Sequence, residues 1–497
     1  MRRATQAGVV TAILLAGSLF WILALPPTAS TIPAFSRKYQ TSCATCHSNY
    51  PELNDFGEAF KRNGFKFPKD DDAFVKEPPV LLGAKAQKEA FPNAIYPGEI
   101  PGSIPISFRY TGNFNYASRR PSAVAATSFT PRTDLFVPNT LTFIAAGSFG
   151  QNISFWIDND ISAAGSGANG GLGDGYLKLD VGHYIGLPSR ALNVRFGQFE
   201  LDLPFSQART IYPSAYDVFS ETALAPPPPA IPTPTVFQTT NNPFFLGTPQ
   251  RGIELGGYAN NGNFAWSVAF DDGTNSAYGL GPALAARNTK DVYLRVSQKF
   301  NLERDPQSRN AVQAAGSTGP RDHTSIRLGA FYYHGTNELN YPVNGSSQFT
   351  FLGTIQEPFY RAGGDVRFKY RKMELFGVGI VGHDNNHTVD TVAQTIASAP
   401  AVAYTGGFAG SNFWIHPWLI AYMRYDFVNS PTDFANGVSQ YRTRNRFSPG
   451  FQLLVRANIK LISEYQYHWG LPYTDPTTSN TLFFRPNAFV SGIDYVF

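Results

Sequence analysis

Apolar and polar residues alternate along many stretches of this chain, and the alternation begins at Ile106. In one of the clearest stretches, the apolar set is Leu419, Ala421, Met423, Tyr425 and Phe427, and the intervening polar set includes Tyr422, Arg424 and Asp426. A period of two predicts β-strands with one apolar and one polar face. Further strands are predicted near residues 106–116, 136–147, 152–162, 175–185, 191–199, 250–271, 291–300, 325–334, 365–381, 451–457, 459–468 and 489–497.

This pattern fits either a transmembrane β-barrel or a soluble all-β sandwich or propeller, and composition favours the barrel. We count roughly 16 segments of about ten residues, the length of a tilted membrane-spanning strand. Aromatic residues make up 14% of the chain and cluster at strand ends, as at Tyr467 and Trp469, whereas charged residues are sparse at 15%. The last strand ends on an aromatic residue, Phe497, which is typical of the C-terminal signal of outer-membrane barrels. The expected fold is mainly β, a transmembrane antiparallel β-barrel over residues 105–497 that contacts outer-membrane lipid.

The N-terminus has the composition of an export signal. Arg2 and Arg3 precede an apolar stretch from about Gly8 to Leu25, followed by small residues up to Ser30. We predict a signal peptide over residues 1–30, with an uncleaved anchor helix as the alternative. Its removal would lower the formal charge from +4 to +2, because the segment holds two arginines and no acidic residue. Such a near-neutral balance gives no support for nucleic-acid binding.

Residues 31–104 differ from the barrel in pattern and predict a small, loop-rich, α-helical module. Between Pro51 and Asn63, apolar residues recur at Leu53, Phe56 and Phe60, and Gly64 follows where a helix would end. A second short helix is predicted over residues 83–90, and the Pro- and Gly-rich run 92–105 reads as a linker.

The module contains both cysteines of the chain, within the run Cys43-Ala44-Thr45-Cys46-His47. Two thiols at i and i+3 followed at once by histidine form the C-x-x-C-H arrangement of c-type haem attachment. The thiols would form thioethers to the haem, and His47 would be the proximal ligand of the iron. A disulfide, a thioredoxin-like pair and half of a zinc site are the alternatives. A thioredoxin-like pair would require a surrounding βαβ pattern, and a zinc site would require a second pair of ligands. The sequence shows neither. The sequence therefore predicts one covalent haem c.

Several segments carry a family resemblance. Pro33 to Tyr39 before the haem motif, Pro51 to Gly57 after it, and Asn63-Gly64 together resemble the outer-membrane fused monohaem c-type cytochrome-porins of iron-oxidising bacteria. The segment 194–199 with 204–206 is similar to a strand and turn of phosphate-selective porins. The resemblance implies a cytochrome in or beneath the lumen of an outer-membrane barrel of a Gram-negative-type bacterium. It also implies an extracellular electron donor such as Fe(II) and a periplasmic cytochrome or other carrier as acceptor.

The sixth ligand of the iron is not assigned by the motif. Met423 shares the apolar face of its strand and should point to lipid, and His47 is the one histidine of the module. His416 and His468 in the barrel remain as distal candidates, and the other options are a five-coordinate iron or a weak ligand other than methionine.

Three classes of function stay open. The first is electron transfer across the outer membrane, which includes Fe(II) oxidation as a possible enzyme activity without any further catalytic residue assigned. The second is a solute-conducting porin with a haem-bearing redox or sensor module. The third is a peroxidase, for which no distal His-Arg pair can be assigned from the sequence. The haem module favours the first class, because a plain porin has no use for it.

Overall fold

Sixteen antiparallel strands form a closed β-barrel in the computed structural model. The model describes residues 34–497 except for 68–70, 78–79, 82–84, 94–98, 101, 103, 119–131, 164–170, 208, 221, 223, 225–236, 240–241, 243, 274–288, 303–323, 344–349, 391–394, 433, 436–437, 440–443, 470–472, 475–480 and 483–485. The predicted signal peptide, residues 1–30, lies outside the described residues.

The barrel strands follow one another around the wall in chain order. They are β1 (Ile106–Ala117), β2 (Arg132–Phe149), β3 (Ile153–Ala163), β4 (Gly171–Asp180), β5 (Asn193–Phe199), β6 (Gln250–Ala259), β7 (Phe264–Asp271), β8 (Asp291–Asn301), β9 (Ser325–Val343), β10 (Thr350–Tyr370), β11 (Met373–Asp390), β12 (Thr395–His416), β13 (Leu419–Asn429), β14 (Arg444–Arg456), β15 (Ile459–His468) and β16 (Ala488–Val496). Pairing of β16 with β1 closes the barrel, and β5 pairs with β6 across the longest connection. The expected strand number is thereby confirmed.

The two faces of the wall have opposite chemistry, as the alternation predicted. On β13, Met423 is 51% exposed on the outside, whereas Arg424 and Asp426 are 1% and 0% exposed on the lumen side. Large apolar side chains of other strands are likewise exposed outward, among them Val296, Phe413 and Phe451. A closed hydrogen-bonded wall with an apolar exterior is the architecture of a transmembrane β-barrel.

The ends of the barrel differ in the length of their connections. At one end, tight turns join most successive strands, for instance at Asn260–Gly262 and at 371–372, 417–418 and 457–458, and the longer connections there are residues 181–192 and 302–324. We call this the short-turn end. At the opposite end lies the longest connection, residues 200–249, which includes the helix Asp217–Ser220 and a short strand, Phe237–Thr239, paired with β11.

The described residues of the first part of this connection, 201–207 and 209–220, fold into the lumen. Gln452 of β14 donates to the Ile211 carbonyl at 2.7 Å, and the Tyr212 hydroxyl lies 2.7 Å from the Asn412 side chain of β12. Phe205, Tyr216 and Phe219 pack in an aromatic core against wall residues such as Phe408. We call residues 201–220 the lumenal loop.

The N-terminal module lies at the short-turn end. Its helices are Ala34–Tyr39, Asp55–Arg62, Asp71–Phe74 and Lys85–Ala90, and its short paired strands are His47–Asn49 with Glu52–Leu53 and Val80–Leu81 with Glu99–Ile100. Tyr39, Phe60, Phe65 and Phe67 form its core. Among the described residues, no helix is long and apolar enough to span a membrane.

The predicted helix after the haem motif is present but shorter than expected. Residues 52–53 pair as a strand with His47–Asn49, so the helix begins at Asp55. Asn54 caps it by accepting a hydrogen bond from the Gly57 amide at 2.9 Å. Gly64, at a φ of +71°, follows its end as predicted.

Candidate functional site

The predicted haem motif, Cys43 to His47, forms a compact turn at the start of the module. Cys43–Thr45 is a single turn of 3-10 helix whose N-cap is Ser42, and the Cys46 amide donates to the Cys43 carbonyl at 3.1 Å. Both thiols are free and half-buried, and they do not form a disulfide. The turn brings the two cysteines to one side of the segment that leads into His47.

The His47 ring is oriented by a hydrogen bond within the module. Its Nδ1 lies 3.2 Å from the Pro51 carbonyl, which can only accept, so Nδ1 carries the proton and Nε2 is left with its lone pair. Metal-ligating histidines are commonly held in this way, through the ring nitrogen that does not bind the metal. Burial lowers the pKa of His47 to about 4, so the ring is neutral, the form that binds iron.

The environment of the thiols does not resemble a dithiol redox motif. Burial raises the pKa of the Cys46 thiol to about 12, with a contribution from neighbouring Cys43, and burial also raises the pKa of Cys43. Redox-active C-x-x-C pairs have a thiol with a lowered pKa. Among the described residues, no group of three or more His, Cys, Asp or Glu side chains is placed to hold a metal ion. Of the alternatives, covalent haem fits these residues best.

The helix Asp55–Arg62 packs directly on the haem motif. The Asn54 side chain donates to the Thr45 carbonyl at 3.1 Å, and the Asn54 amide donates to the Cys46 carbonyl at 3.0 Å. A Cβ atom on Gly57 would lie 2.0 Å from the Cys46 carbonyl oxygen. Only glycine allows this close approach of helix and motif.

The barrel wall holds the haem motif from the lumen side. Lys460 of β15 donates to the Tyr50 carbonyl at 2.6 Å, and the Tyr50 ring lies edge-on to His47, with 5.2 Å between centroids. Asn49 donates to the Gln452 side chain of β14. Asp494 of β16 pairs with Lys460 at 3.2 Å and with Arg109 of β1 at 2.9 Å.

Contacts elsewhere around the wall fix the rest of the module. Lys299 of β8 pairs with Asp55, and the Ser107 hydroxyl of β1 accepts from the Ala34 amide at 2.9 Å. Arg190, in the β4–β5 turn, donates to the Asn63 carbonyl at 3.1 Å, so it satisfies a carbonyl at the end of the helix. The module is therefore anchored on several sides of the short-turn end.

The two distal-ligand candidates lie apart from each other. His416 is exposed at the end of β12, and its ring stacks on Trp418 at 5.0 Å between centroids. His468 is buried at the far end of β15, where its amide donates to the Asn487 side chain at 2.9 Å. It follows Lys460 by eight residues, which at 3.3 Å per residue corresponds to about 26 Å along the strand. The structure does not bring these two histidines together, and it separates His468 from the part of β15 that touches the haem motif.

Sequence reasoning missed the wall residues that contact the motif. Lys460 and Gln452 are on the lumen face by parity, but only the docked module shows that they reach Tyr50 and Asn49. Their sole sequence signal is a polar side chain on a lumenal position near a tight turn.

The sequence matches no protein-family model and no curated protein sequence. Among solved structures, the chain is similar to OmpF of Salmonella typhi in its complex with daunomycin, at 9% identity over 80% of this chain and 98% of that one, with a TM-score of 0.47. An anion-selective porin from Comamonas acidovorans gives 11% identity, coverage of 79% and 98%, and a TM-score of 0.46. The outer-membrane channel DcaP of Acinetobacter baumannii gives 13% identity, coverage of 79% and 96%, and a TM-score of 0.45. At this level of similarity, function has to be argued from the chain's own residues.

Proposed function

We propose that this protein is an outer-membrane electron-transfer barrel with one haem c on Cys43 and Cys46 and with His47 as the proximal ligand. It carries electrons from an extracellular donor, with Fe(II) the leading candidate, to a periplasmic cytochrome or other carrier. The observation that carries the proposal is the His47 ring, fixed through Nδ1 by the Pro51 carbonyl beside two free thiols. When bound, the haem supplies a one-electron couple, so each Fe(II) oxidised outside delivers one electron.

The protein residues supply position and charge in this scheme. Tyr50 and Lys460 hold the segment around His47 against the wall. In outer-membrane barrels the short turns face the periplasm, so the module would lie at the periplasmic end, where a soluble carrier can approach. The length of the barrel, rather than the movement of a domain, would then set the distance between a bound haem and an external donor.

The alternative, a solute-conducting porin with a haem-bearing sensor, has one observation in its favour. A barrel of sixteen strands is wide enough to leave an aqueous channel. However, the module and the lumenal loop occupy this lumen at successive levels, linked by Gln452, which bonds to both Asn49 and Ile211. Three arginines that would otherwise favour an anion path through the lumen are also neutralised: Arg109 pairs with Asp494, Arg195 with Glu254, and Arg424 with Asp426.

The first experiment tests covalent haem. Wild-type protein extracted from membranes should keep a peroxidase-active haem band through denaturing electrophoresis, and the double variant Cys43→Ala, Cys46→Ala should lose it. Faster migration of unheated than of boiled protein reports the closed barrel in both proteins. A haem band retained by the folded double variant contradicts the assignment.

The second experiment separates the two functions. Fe(II) should reduce the haem of the purified wild type, as read from its absorption spectrum, and His47→Ala should abolish this reduction even where thioethers still hold some haem. In planar bilayers the wild type should give little ion conductance. If the haem stays ferric with excess Fe(II) and the protein forms open channels, the porin alternative holds.

A further inference from the structure

A cavity of 190 Å³ lies between the module and the lumenal loop. The module side is formed by residues 51–53 and by the helix Asp55–Arg62, and the opposite side by residues 202–216 of the loop. Strands β6 to β12 contribute the wall. Because the electron-transfer proposal uses none of the cavity's charged side chains, their arrangement calls for an explanation of its own.

Basic groups predominate among the side chains that line this cavity. The acidic ones are Glu52, Glu58 and Asp202. The basic ones are Lys61, Arg62, Arg209, Arg295, Arg327 and Arg367. The cavity surface therefore carries an excess of positive charge.

Three of the arginines are compensated by carboxylates that do not line the cavity. Arg209 pairs with Asp174, Arg295 pairs with Asp365 at 2.8 Å, and Arg367 pairs with Glu374 at 2.9 Å. The acidic residues Asp202 and Glu52 are 3.8 Å from Arg295 and 3.6 Å from Arg367, respectively. These five cavity residues thus belong to ion-pair clusters that hold the wall, loop and module together.

Three basic groups and one acidic group are left over. In the described part of the chain, neither the Lys61 ammonium nor the Arg327 guanidinium forms a hydrogen bond or a close ion pair. Arg62 donates to the Gly262 carbonyl at 3.2 Å and lies over the Tyr258 ring, so it has no carboxylate partner there either. Glu58, one helical turn from Lys61 and Arg62, is the remaining carboxylate of the cavity.

We propose that this cavity binds an oxyanion, a carboxylate or phosphate-like group, through Lys61, Arg62 and Arg327. One carboxylate, that of Glu58, faces three cations, of which Arg62 and Arg327 are half-buried and Lys61 is exposed. A bound anion relieves the repulsion of this unbalanced positive charge. Guanidinium groups suit oxyanions because their planar N–H donors match two oxygens at once. The same chemistry has two sources, a free inorganic oxyanion and a propionate of the proposed haem. The site itself goes beyond the proposed function and does not depend on it.

The test is a calorimetric titration of the detergent-solubilised full chain with inorganic phosphate and with sulfate. It compares the wild type, Lys61→Gln, Arg327→Gln and, as a matched control, Lys372→Gln on an exposed turn outside the cavity. Each cavity variant should weaken binding by about tenfold, the loss expected for one charge-assisted hydrogen bond. The control should bind like the wild type.

The source is distinguished by repeating the titration on the haem-free double cysteine variant. Binding to both haem-loaded and haem-free protein identifies a free oxyanion, whereas binding to the haem-free protein alone identifies a haem carboxylate as the occupant. Should the haem-free chain fail to form a heat-modifiable barrel, the haem potential replaces this arm. Added phosphate then lowers the wild-type potential if the cavity takes up a free oxyanion, because a negative charge is brought near the iron. The potential does not respond to phosphate if a propionate already fills the cavity.

Two results overturn the proposal. One is the absence of phosphate and sulfate binding at millimolar concentration in every folded form, together with an unchanged haem potential in Arg327→Gln. The other is equal affinity of the Lys61, Arg327 and Lys372 variants, which would assign binding to a different surface.

Discussion

Replacement of Lys460 by glutamine should lower the reduction potential of the haem-loaded protein. The Lys460 ammonium is held beside the haem motif by the Tyr50 carbonyl, and glutamine keeps a hydrogen-bond donor while removing the charge. A positive charge favours the reduced iron, which carries one positive charge fewer. Loss of that charge therefore favours the oxidised form, and Asp494, freed of one cationic partner, acts in the same direction.

The distances give the size of the effect. The Lys460 ammonium lies 5.8 Å from the Tyr50 ring centroid, which lies 5.2 Å from that of His47, so lysine and imidazole are at most about 11 Å apart. With an effective dielectric constant of about 20, a unit charge at that distance contributes about 1.5 kcal/mol. Since 59 mV corresponds to a factor of ten for one electron, the expected fall is about 60 mV.

Spectroelectrochemical titration of the purified protein measures this shift. Asp494→Asn should move the potential upward, because it removes the negative charge from the same cluster, and Lys372→Gln on an exposed turn should leave it unchanged. The reasoning is refuted if Lys460→Gln and Asp494→Asn shift the potential in the same direction. Heat-modifiable mobility must first establish that each variant retains the barrel, because breaking a buried ion pair can destabilise the fold.

Two further predictions concern assembly. Gly57→Ala should sharply reduce the haem content per folded protein, because the new methyl group would overlap the Cys46 carbonyl. Haem staining measures this content. Gly171→Ala is the control and should retain wild-type haem, because a Cβ at Gly171 meets no atom within 4 Å. Deletion of Phe497 should lower the amount of barrel in the outer membrane, measured by immunoblot, because the backbone of Phe497 exchanges hydrogen bonds of 2.7 and 2.9 Å with Phe108 and closes the barrel there. Equal levels of the shortened and full chains would contradict this.

The barrel was predictable because alternation is a local signal. It identified β13, β15 and β16, where large apolar and charged residues differ strongly. It missed β12, whose first half, Thr395–Tyr404, consists largely of small residues and includes a proline, so the two faces are not distinct in the sequence. It also treated 250–271 as one segment, whereas a turn at Asn260–Gly262 divides it into β6 and β7. A short turn without proline barely interrupts the alternation of apolar and polar residues, so the alternation does not reveal where one strand ends and the next begins.

The candidate site divides in the same way. The two thiols and His47 can be predicted as a site from the five consecutive residues Cys43 to His47, without any tertiary information. The alternation along β15 places His468 on the lumen face, but it does not give the position of a residue along the barrel axis. It therefore cannot show that β15 contacts the haem motif at Lys460 rather than at His468. The fold of the lumenal loop was equally out of reach, because its partners Gln452 and Asn412 are more than 190 residues away in the chain.

The docking of the module beneath the lumenal loop has a consequence for biogenesis under the electron-transfer proposal. In the finished barrel, Gly57 presses on the Cys46 carbonyl while Asn49 and Tyr50 are bonded to the wall, so the backbone around the thiols is held from two sides. A haem attached to the exported chain before insertion would meet a motif that is still free of these wall contacts. Membrane insertion would then fix the position of a cofactor that is already in place.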